Sequence, residues 1–313
     1  MFTNSQKLLS KMTALSMLFL SSISLSAVID FKDVGNANAY VFKDYVGVNS
    51  DSQGALLIGG NTQLSGYTVA TLNDYNQLAL ATSGNLIMNG GDINGLASVN
   101  GSATVGATNA LREANASFDF NQAHFQQLSS TLSSQSNTSN TTKWSNLLLD
   151  TKDSTQTFIT NIAASDIANF SSVLTTSEAL GARIVFNISG VNIDLNGNDW
   201  LIKTSDWVSH SANNVLFNFF EATTVNINTA LYGSVLAPNA NVFGNGGMIN
   251  GQLIANSFTT GVNGSGTQLN DAVFNSDPSD IATGIVNANS PSVVLLFLLT
   301  VGAIFVGQRK LAY

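Results

Sequence analysis

The sequence predicts a mainly β protein, a β-solenoid (β-helix) with one long amphipathic helix packed alongside. Three observations carry this prediction. Two short apolar runs, at 233–239 and 251–257, align residue for residue at an offset of 18 (251 minus 233). Similar strand-length units bounded by Gly and Asn recur at 52–61, 84–91 and 95–101. Between the two groups lies a stretch with apolar residues at helical spacing.

The aligned runs indicate stacked coils, because one coil of a solenoid buries its inner face only against a neighbour. Three successive residues are apolar in each run, at 235–237 and at 253–255. Side chains alternate across a strand, so both faces of these strands should be buried. We expect the coil interior to cover one face and the long helix to cover the other.

The helix is predicted over 109–133. Gly and Pro are absent from this stretch, and its apolar residues are separated by intervals of 3, 4, 7, 3 and 4. This spacing places them on one side of a helix. The residues of the stripe are Leu111, Ala114, Phe118, Phe125, Leu128 and Leu132.

Further strands are predicted on both sides of this helix. Alternation or β-branched content marks 39–46, 147–150, 157–159, 183–188, 191–195, 215–220 and 223–228. Gly and Asn at the strand ends suit the tight corners between them. Strands before and after one helix predict a single domain that both halves of the chain build.

Composition excludes several classes of function. Hydrophobic residues make up 44% of the 313 residues and charged residues only 10%, and the net charge is −8. With 11 Lys and Arg in total, the chain shows no basic patch for nucleic acid. It has no cysteine, which excludes disulfides and thiolate metal sites. We expect no cofactor and no metal.

The N-terminus has the order of a secretory signal peptide, predicted over 1–27. Lys7 and Lys11 precede a mostly apolar segment at 12–25, and small residues follow. Cleavage by signal peptidase is expected around Ser26, Ala27 and Val28. An uncleaved membrane anchor is the alternative.

The C-terminus is predicted to hold a linker at 277–292, an apolar membrane helix at 293–307 and a basic cytoplasmic tail at 308–313. The basic pair Arg309 and Lys310 follows the apolar segment and should stay inside. With Pro291 before the helix, this order resembles a variant sorting signal of the PEP-CTERM type. That resemblance implies an exosortase-like processing enzyme as a partner. A simple single-span anchor is the alternative.

The body resembles the choice-of-anchor A domain family over about 37–275. The segments that carry the resemblance are 39–42, 54–61, the predicted helix, 233–240 and 251–258. The resemblance implies a bacterial cell-surface adhesive domain, with a β-solenoid fold and a lateral helix similar to those of ice-binding proteins. It brings no catalytic residues.

One cluster has chemical variety. Trp200 and Trp207 are candidate ligand contacts, since indole faces can stack on sugar rings, and Asp206 with His210 could exchange protons. Packing of both tryptophans in the fold is the competing interpretation. The segment 194–199 offers oxygen ligands for calcium but lacks the closing Glu of an EF-hand, and a turn explains it equally.

These observations predict an exported, non-catalytic protein of the cell surface or extracellular matrix. It would be structural or adhesive and would bind polysaccharide or other cells. An ice-binding protein is the first alternative, and a carbohydrate-active enzyme on a β-helix is the second.

Overall fold

The computed structural model describes most of the body of the chain. The described residues are 29–106, 111–137, 140–143, 146–149, 157–167, 170, 172–175, 181–197, 200–204, 209–261 and 264–276. Ile29–Ser276 form one compact unit. The predicted signal peptide, linker, C-terminal helix and tail lie outside the described residues and stay predictions.

The described elements are 22 short strands, two α-helices and one 3-10 turn at Ala212–Asn214. The helices are α1 (Gln122–Ser133) and α2 (Ala164–Ile167). The strands are β1 Ala39–Val41, β2 Tyr45–Asp51, β3 Leu56–Ile58, β4 Thr62–Thr68, β5 Leu78–Thr82, β6 Leu86–Asn89, β7 Leu96–Val99, β8 Ala103–Val105, β9 Asn140–Lys143, β10 Asn146–Leu149, β11 Thr157–Ala163, β12 Ser172–Thr175, β13 Arg183–Ser189, β14 Asn192–Leu195, β15 Ile202–Thr204, β16 Val215–Asn218, β17 Thr224–Ile227, β18 Leu231–Tyr232, β19 Ser234–Gly244, β20 Met248–Asn250, β21 Leu253–Thr260 and β22 Gln268–Asn270.

The strands form three faces of a solenoid, and nearly all pairs are parallel. The first face has the order β11-β13-β16-β19-β21-β1-β3-β5-β7. The second runs β14-β17-β19-β21-β2-β4-β6-β8, since β19 and β21 are long enough to turn from one face to the next. The third contains β18-β20-β22, and the β9-β10-β12-β15 sheet is joined to it by the bridge between Trp200 and Leu231.

The coils are not stacked in sequence order. The last coil, with β21, lies directly against the first, with β1 and β2. The first half therefore winds from the middle of the stack to one end. The chain then crosses to the other end, and the second half winds back to the middle. Both halves build one domain, as the strands flanking the helix predict.

The predicted offset of 18 between the two aligned runs is confirmed. Val235, Leu236 and Ala237 pair with Leu253, Ile254 and Ala255, and all six are fully buried. Beyond Ala237 the register shifts, because β19 has extra residues at the corner between the first two faces. The helix holds this corner: the Gln122 Nε2 atom donates to the Pro238 carbonyl oxygen at 2.7 Å.

The prediction of one long helix over 109–133 is wrong in extent. Helix α1 begins at Gln122, and the described residues before it, 111–121, are not helical and form one isolated β-bridge, from Glu113 to Ala97. The amide of Ala97 donates to the Arg112 carbonyl at 2.8 Å, and the amide of Ala114 donates to the Ala97 carbonyl at 2.8 Å. This segment therefore forms backbone hydrogen bonds with the open edge of β7, where backbone groups would otherwise remain unpaired.

The helix still covers the first face, as predicted. Phe125, Leu128 and Leu132 are buried beneath it. The Phe125 ring lies 5.4 Å from the Tyr40 ring and 5.9 Å from the Phe42 ring, centroid to centroid. The side chain of Asn121 accepts from the His124 amide and sets where the helix begins.

The stretch 39–46, predicted as one strand, forms two. Strand β1 lies on the first face and β2 on the second, and a corner at 42–44 separates them. The exposed Asp44 stands at this corner, and its Oδ1 atom accepts from the Asn61 amide at 2.7 Å. Alternation continues across such a corner, which is why the sequence looks like one strand.

At two corner positions, Gly84 and Gly101, a neighbouring coil leaves no room for a side chain. A Cβ atom on Gly84 would lie 2.7 Å from the Gly60 carbonyl oxygen, and one on Gly101 would lie 2.6 Å from that of Gly84. Neither glycine has a positive φ angle. Neighbouring coils therefore stack too closely at this corner to admit a side chain.

The interior is apolar with one buried phenol pair. The hydroxyls of Tyr45 and Tyr67 lie 2.8 Å apart, and both side chains are fully buried. Burial raises the pKa of both phenols, so both stay neutral and each serves as the other's hydrogen-bond partner.

Candidate ligand-binding face

The outer surface of the second face, which we call the polar face, is a long regular surface built from eight strands. Its strands alternate between inward apolar and outward polar side chains, as in Asn192-Ile193-Asp194-Leu195, where Ile193 and Leu195 are buried. Eight strands at about 4.8 Å spacing give a length of about 34 Å. Register places the outward side chains in columns across the strands.

The polar side chains in the column at the corner between the first and second faces mostly form hydrogen bonds within the protein. The Oδ1 atom of Asn61 accepts from the Asn85 amide at 3.0 Å, and that of Asn85 accepts from the Ser102 amide at 2.9 Å. The amide of Asn256 and the hydroxyl of Ser257 both donate to Asn241. These polar side chains satisfy backbone groups between coils and have little capacity left for a ligand.

The side chains of the middle column make fewer hydrogen bonds within the protein. Only its first pair is joined by a side-chain hydrogen bond, from Asn226 to Asp194 at 2.5 Å. Gln63, Ile87 and Thr104 are exposed. In register order the column is Asp194, Asn226, Phe243, Thr259, Val46, Gln63, Ile87 and Thr104. It offers amides, hydroxyls and apolar groups together.

Charge is nearly absent from the polar face. Its strands carry Asp194 and Asp51, and the corner before β2 carries Lys43 beside Asp44. So few charges, of mixed sign, give a weak field for attracting a strongly charged ligand. Its chemistry suits neutral hydroxyl-rich partners, which amides and hydroxyls can hydrogen-bond.

Sequence reasoning did not single out these residues. Strands β6 and β8 have only four and three residues, and β4 is interrupted by a glycine. The usable signal is the alternation in Thr62-Gln63-Leu64-Ser65, in which Thr62 and Leu64 are buried and Gln63 is exposed.

Trp200 lies in the core. It is 8% exposed, and its ring contacts the Phe186 and Phe217 rings edge-on at 6.0 and 5.8 Å. A ring packed in this way offers little of its face to a sugar. Trp207 lies outside the described residues, and its contact with a ligand stays a prediction.

His210 is buried beside Thr175, with its Nε2 atom 2.6 Å from the Thr175 hydroxyl. Burial lowers the pKa of His210 to about 4. Its Nδ1 atom has no hydrogen-bond partner in the described part of the chain. Asp206, the other half of the predicted acid–base pair, lies outside the described residues.

The candidate calcium segment is described only at 194–197. There Asp194 and Asn196 accept from the side chains of Asn226 and Asn228 on the next coil, at 2.5 and 2.7 Å. Across the described ranges, no group of three or more His, Cys, Asp or Glu side chains lies close enough to hold a metal ion.

No helix within the described residues is long and apolar enough to cross a membrane. The predicted C-terminal helix at 293–307 is not among them.

The sequence matches the family model described as "Putative Ice-binding-like adhesive domain" over residues 30–268. The chain belongs to this ice-binding-like adhesive domain family. The match spans most of the chain and nearly all of the solenoid. It agrees with the predicted adhesive domain at this level; the narrower choice-of-anchor A assignment and the PEP-CTERM-type signal remain proposals.

Two solved structures resemble the fold weakly. One is an ice-binding protein from an Antarctic biological consortium, with 12% identity, coverage of 80% of this chain and 92% of the other, and a TM-score of 0.34. The second is an ice-binding protein domain from Shewanella frigidimarina, with 10% identity, coverage of 80% and 99%, and a TM-score of 0.35. Scores this low support no statement about what the present chain binds.

No curated protein matches the sequence.

Proposed function

We propose that the protein is a non-catalytic adhesive protein of the cell surface or extracellular matrix, and that its polar face binds neutral polysaccharide. The family match supports the adhesive role. The observation that supports the ligand class is the middle column of the polar face, with free amide, hydroxyl and apolar side chains and no basic residue. Many weak contacts along about 34 Å would add up through multivalency.

An ice-binding role is the main alternative, and the same column argues against it. Ordering water on a surface would need a repeated side chain at a constant spacing. Here Thr occurs at Thr259 and Thr104, with Val46, Gln63 and Ile87 between them. A polysaccharide tolerates such irregularity, because each contact is independent and weak.

The remaining expectations belong to the same proposal. Signal peptidase would release the body at about residue 28, and the C-terminal segment would hold it at the membrane at least transiently. An exosortase-like enzyme would process that segment.

Purified protein incubated with polysaccharide panels should release no product; product formation would favour the alternative of an enzyme on a β-helix.

The test is the attachment of the purified full chain to immobilised neutral polysaccharides and to whole cells. The Ile87→Arg variant places a charge in the middle column, at a side chain that is 44% exposed. We expect attachment to fall at least roughly fivefold, because a solvated guanidinium must be displaced from the contact surface. The fold should be unaffected, since the side chain is exposed.

The matched control is Leu72→Arg, which makes the same change at an exposed apolar residue off the polar face. It should bind like the parent. Equal attachment of the parent and Ile87→Arg would contradict the assignment to the polar face. Ice recrystallisation inhibition by the parent, lost in Ile87→Arg, would favour the ice-binding alternative.

A further inference from the structure

A groove of about 430 Å³ lies on another side of the solenoid, away from the polar face. One wall is the N-terminal segment 32–37, and the other is the turn that carries Asn73, Gln77 and Leu78. Leu57 and Phe118 also line it. Its volume is within the range of small-ligand sites in proteins.

The side chains around the groove combine an apolar surface with unused polar groups. Leu57 is buried, and Leu78 and Phe118 are half-buried. The exposed side chains of Asn36 and Gln77 make no hydrogen bond to other described residues. A few free polar groups around an apolar floor form the common pattern of a ligand site.

The N-terminal wall is held in place before any ligand arrives. The Gln252 side-chain amide donates to the carbonyl oxygens of Gly35 and Ala37 at 2.8 and 2.9 Å. The Phe31 ring, 2% exposed, packs 5.2 Å from the Phe274 ring. A fixed wall lowers the entropy lost on binding.

The opposite wall is fixed as well. The Asn73 Nδ2 atom donates to the Leu78 carbonyl at 3.1 Å, and the Gln77 amide donates to the Asp74 carbonyl at 2.9 Å. Arg112 donates to the Tyr75 carbonyl at 2.8 Å, and its guanidinium lies 5.7 Å from the centre of the Tyr75 ring. Tyr75 remains 66% exposed at the tip of this turn.

We infer that this groove is a second binding site, for a short neutral saccharide, built from Asn36, Gln77 and the Phe118 ring. A sugar ring presents hydroxyls at its rim and C–H groups on its faces, which matches free amides beside an aromatic floor. The lining carries one Lys and one Asp, Lys32 and Asp33, so it has no net charge to select an acidic sugar. The nearby Arg112 is already engaged by the turn.

This inference rests on the proposed function in one respect: it names a saccharide as the ligand. It differs in size and place, because the groove takes a short segment and the polar face a long chain. Oligosaccharides too short to span the polar face therefore report on the groove alone.

The experiment is ligand-observed NMR on the purified full chain with neutral di- and trisaccharides of glucose, mannose, galactose and N-acetylglucosamine. At least one should bind, and Asn36→Ala/Gln77→Ala should weaken it roughly tenfold or more, as expected for two lost hydrogen bonds. The matched control is Gln126→Ala/Gln127→Ala, two exposed polar side chains on α1 that line neither the groove nor the polar face. The control should bind the short sugars like the parent.

Three outcomes would overturn the inference: no short neutral sugar binds, the groove variant binds as tightly as the parent, or a uronic-acid disaccharide binds more tightly than every neutral one. If the groove fails while Ile87→Arg still reduces attachment to polysaccharide, the polar face remains the binding surface. If short sugars bind in the groove and Ile87→Arg has no effect, the groove stands and the polar face does not.

Discussion

At the scale of single residues, His210 is the clearest link between burial and chemistry. It is 4% exposed, one ring nitrogen meets the Thr175 hydroxyl, and burial lowers its pKa to about 4. The imidazole is therefore neutral in the folded protein over most of the pH range. The buried ring has little access to a ligand, a placement that the sequence does not show.

A pH dependence of stability follows from His210. The unfolded chain takes up a proton near pH 6.5, and the folded chain does so only near pH 4. The unfolded state thus binds more protons in this window, so the stabilising effect is complete above pH 6.5 and declines as the pH falls to about 4. We expect a loss on the order of 2 kcal/mol in the free energy of unfolding.

Urea denaturation at a series of pH values measures this loss. His210→Gln should have a flatter profile between pH 6.5 and 4 than the parent. The two proteins share every other titratable group, so the difference between the profiles isolates His210. Parallel profiles for the parent and His210→Gln would refute the assignment.

At the scale of elements, a buried asparagine ladder joins α1 to the solenoid. The Asn218 Nδ2 atom donates to the Ser129 carbonyl at 2.9 Å and to the Asn187 Oδ1 atom at 2.8 Å. Asn187 donates in turn to the Leu132 carbonyl and to Asn161, each at 2.8 Å. The ladder thus adds side-chain donors to two backbone carbonyls near the end of the helix; that of Leu132 also accepts from the Gln135 amide at 3.1 Å.

Asn218→Ala should therefore lower the free energy of unfolding by about 1–3 kcal/mol, because it leaves buried polar groups unsatisfied. Asn226→Ala is the control from the same coil: it also removes an amide, but that amide bonds to Asp194 on the exposed polar face. A loss within about 0.5 kcal/mol is expected there. Chemical denaturation would show both effects, and equal losses would contradict a special role for the ladder.

The helix also shows what the sequence can and cannot specify about an element. The spacing of Phe125, Leu128 and Leu132 correctly predicts a helix and its buried side. Leu111 and Phe118 continue the same spacing, yet they lie in a segment that is not helical. The open edge of β7 decides this, since it bonds to residues 112 and 114. A sequence pattern contains no information about a distant strand edge.

At the scale of the whole molecule, the solenoid class is predictable and the order of its coils is not. Paired runs such as 235–237 and 253–255 lie next to each other in the chain, so their similarity predicts their stacking. The contact between 39–41 and 253–255 joins residues more than 200 positions apart. Only the packing of both halves determines it. The polar face depends on this contact, because β2 and β21 are its central strands.

The predicted ligand contacts show the same limit of the sequence. Aromatic content predicts contacts at Trp200 and Trp207, but Trp200 is a core residue. The polar face consists of ordinary residues such as Gln63 and Thr104, which become notable only when the register aligns them.

A cross-link between residues 46 and 259 tests the coil order most directly. The chain has no cysteine, so thiols introduced by Val46→Cys and Thr259→Cys would be the only ones. Both side chains point outward in register on adjacent strands, about 5 Å apart. A short bis-maleimide, which alkylates one thiol at each end, should join them rapidly in the folded full chain. In the control pair Val46→Cys/Asn226→Cys, the two thiols lie three strands and about 14 Å apart, so the reagent should not cross-link them. Failure of the 46–259 pair to cross-link in folded protein would mean that the coils stack in another order and that the polar face is not continuous.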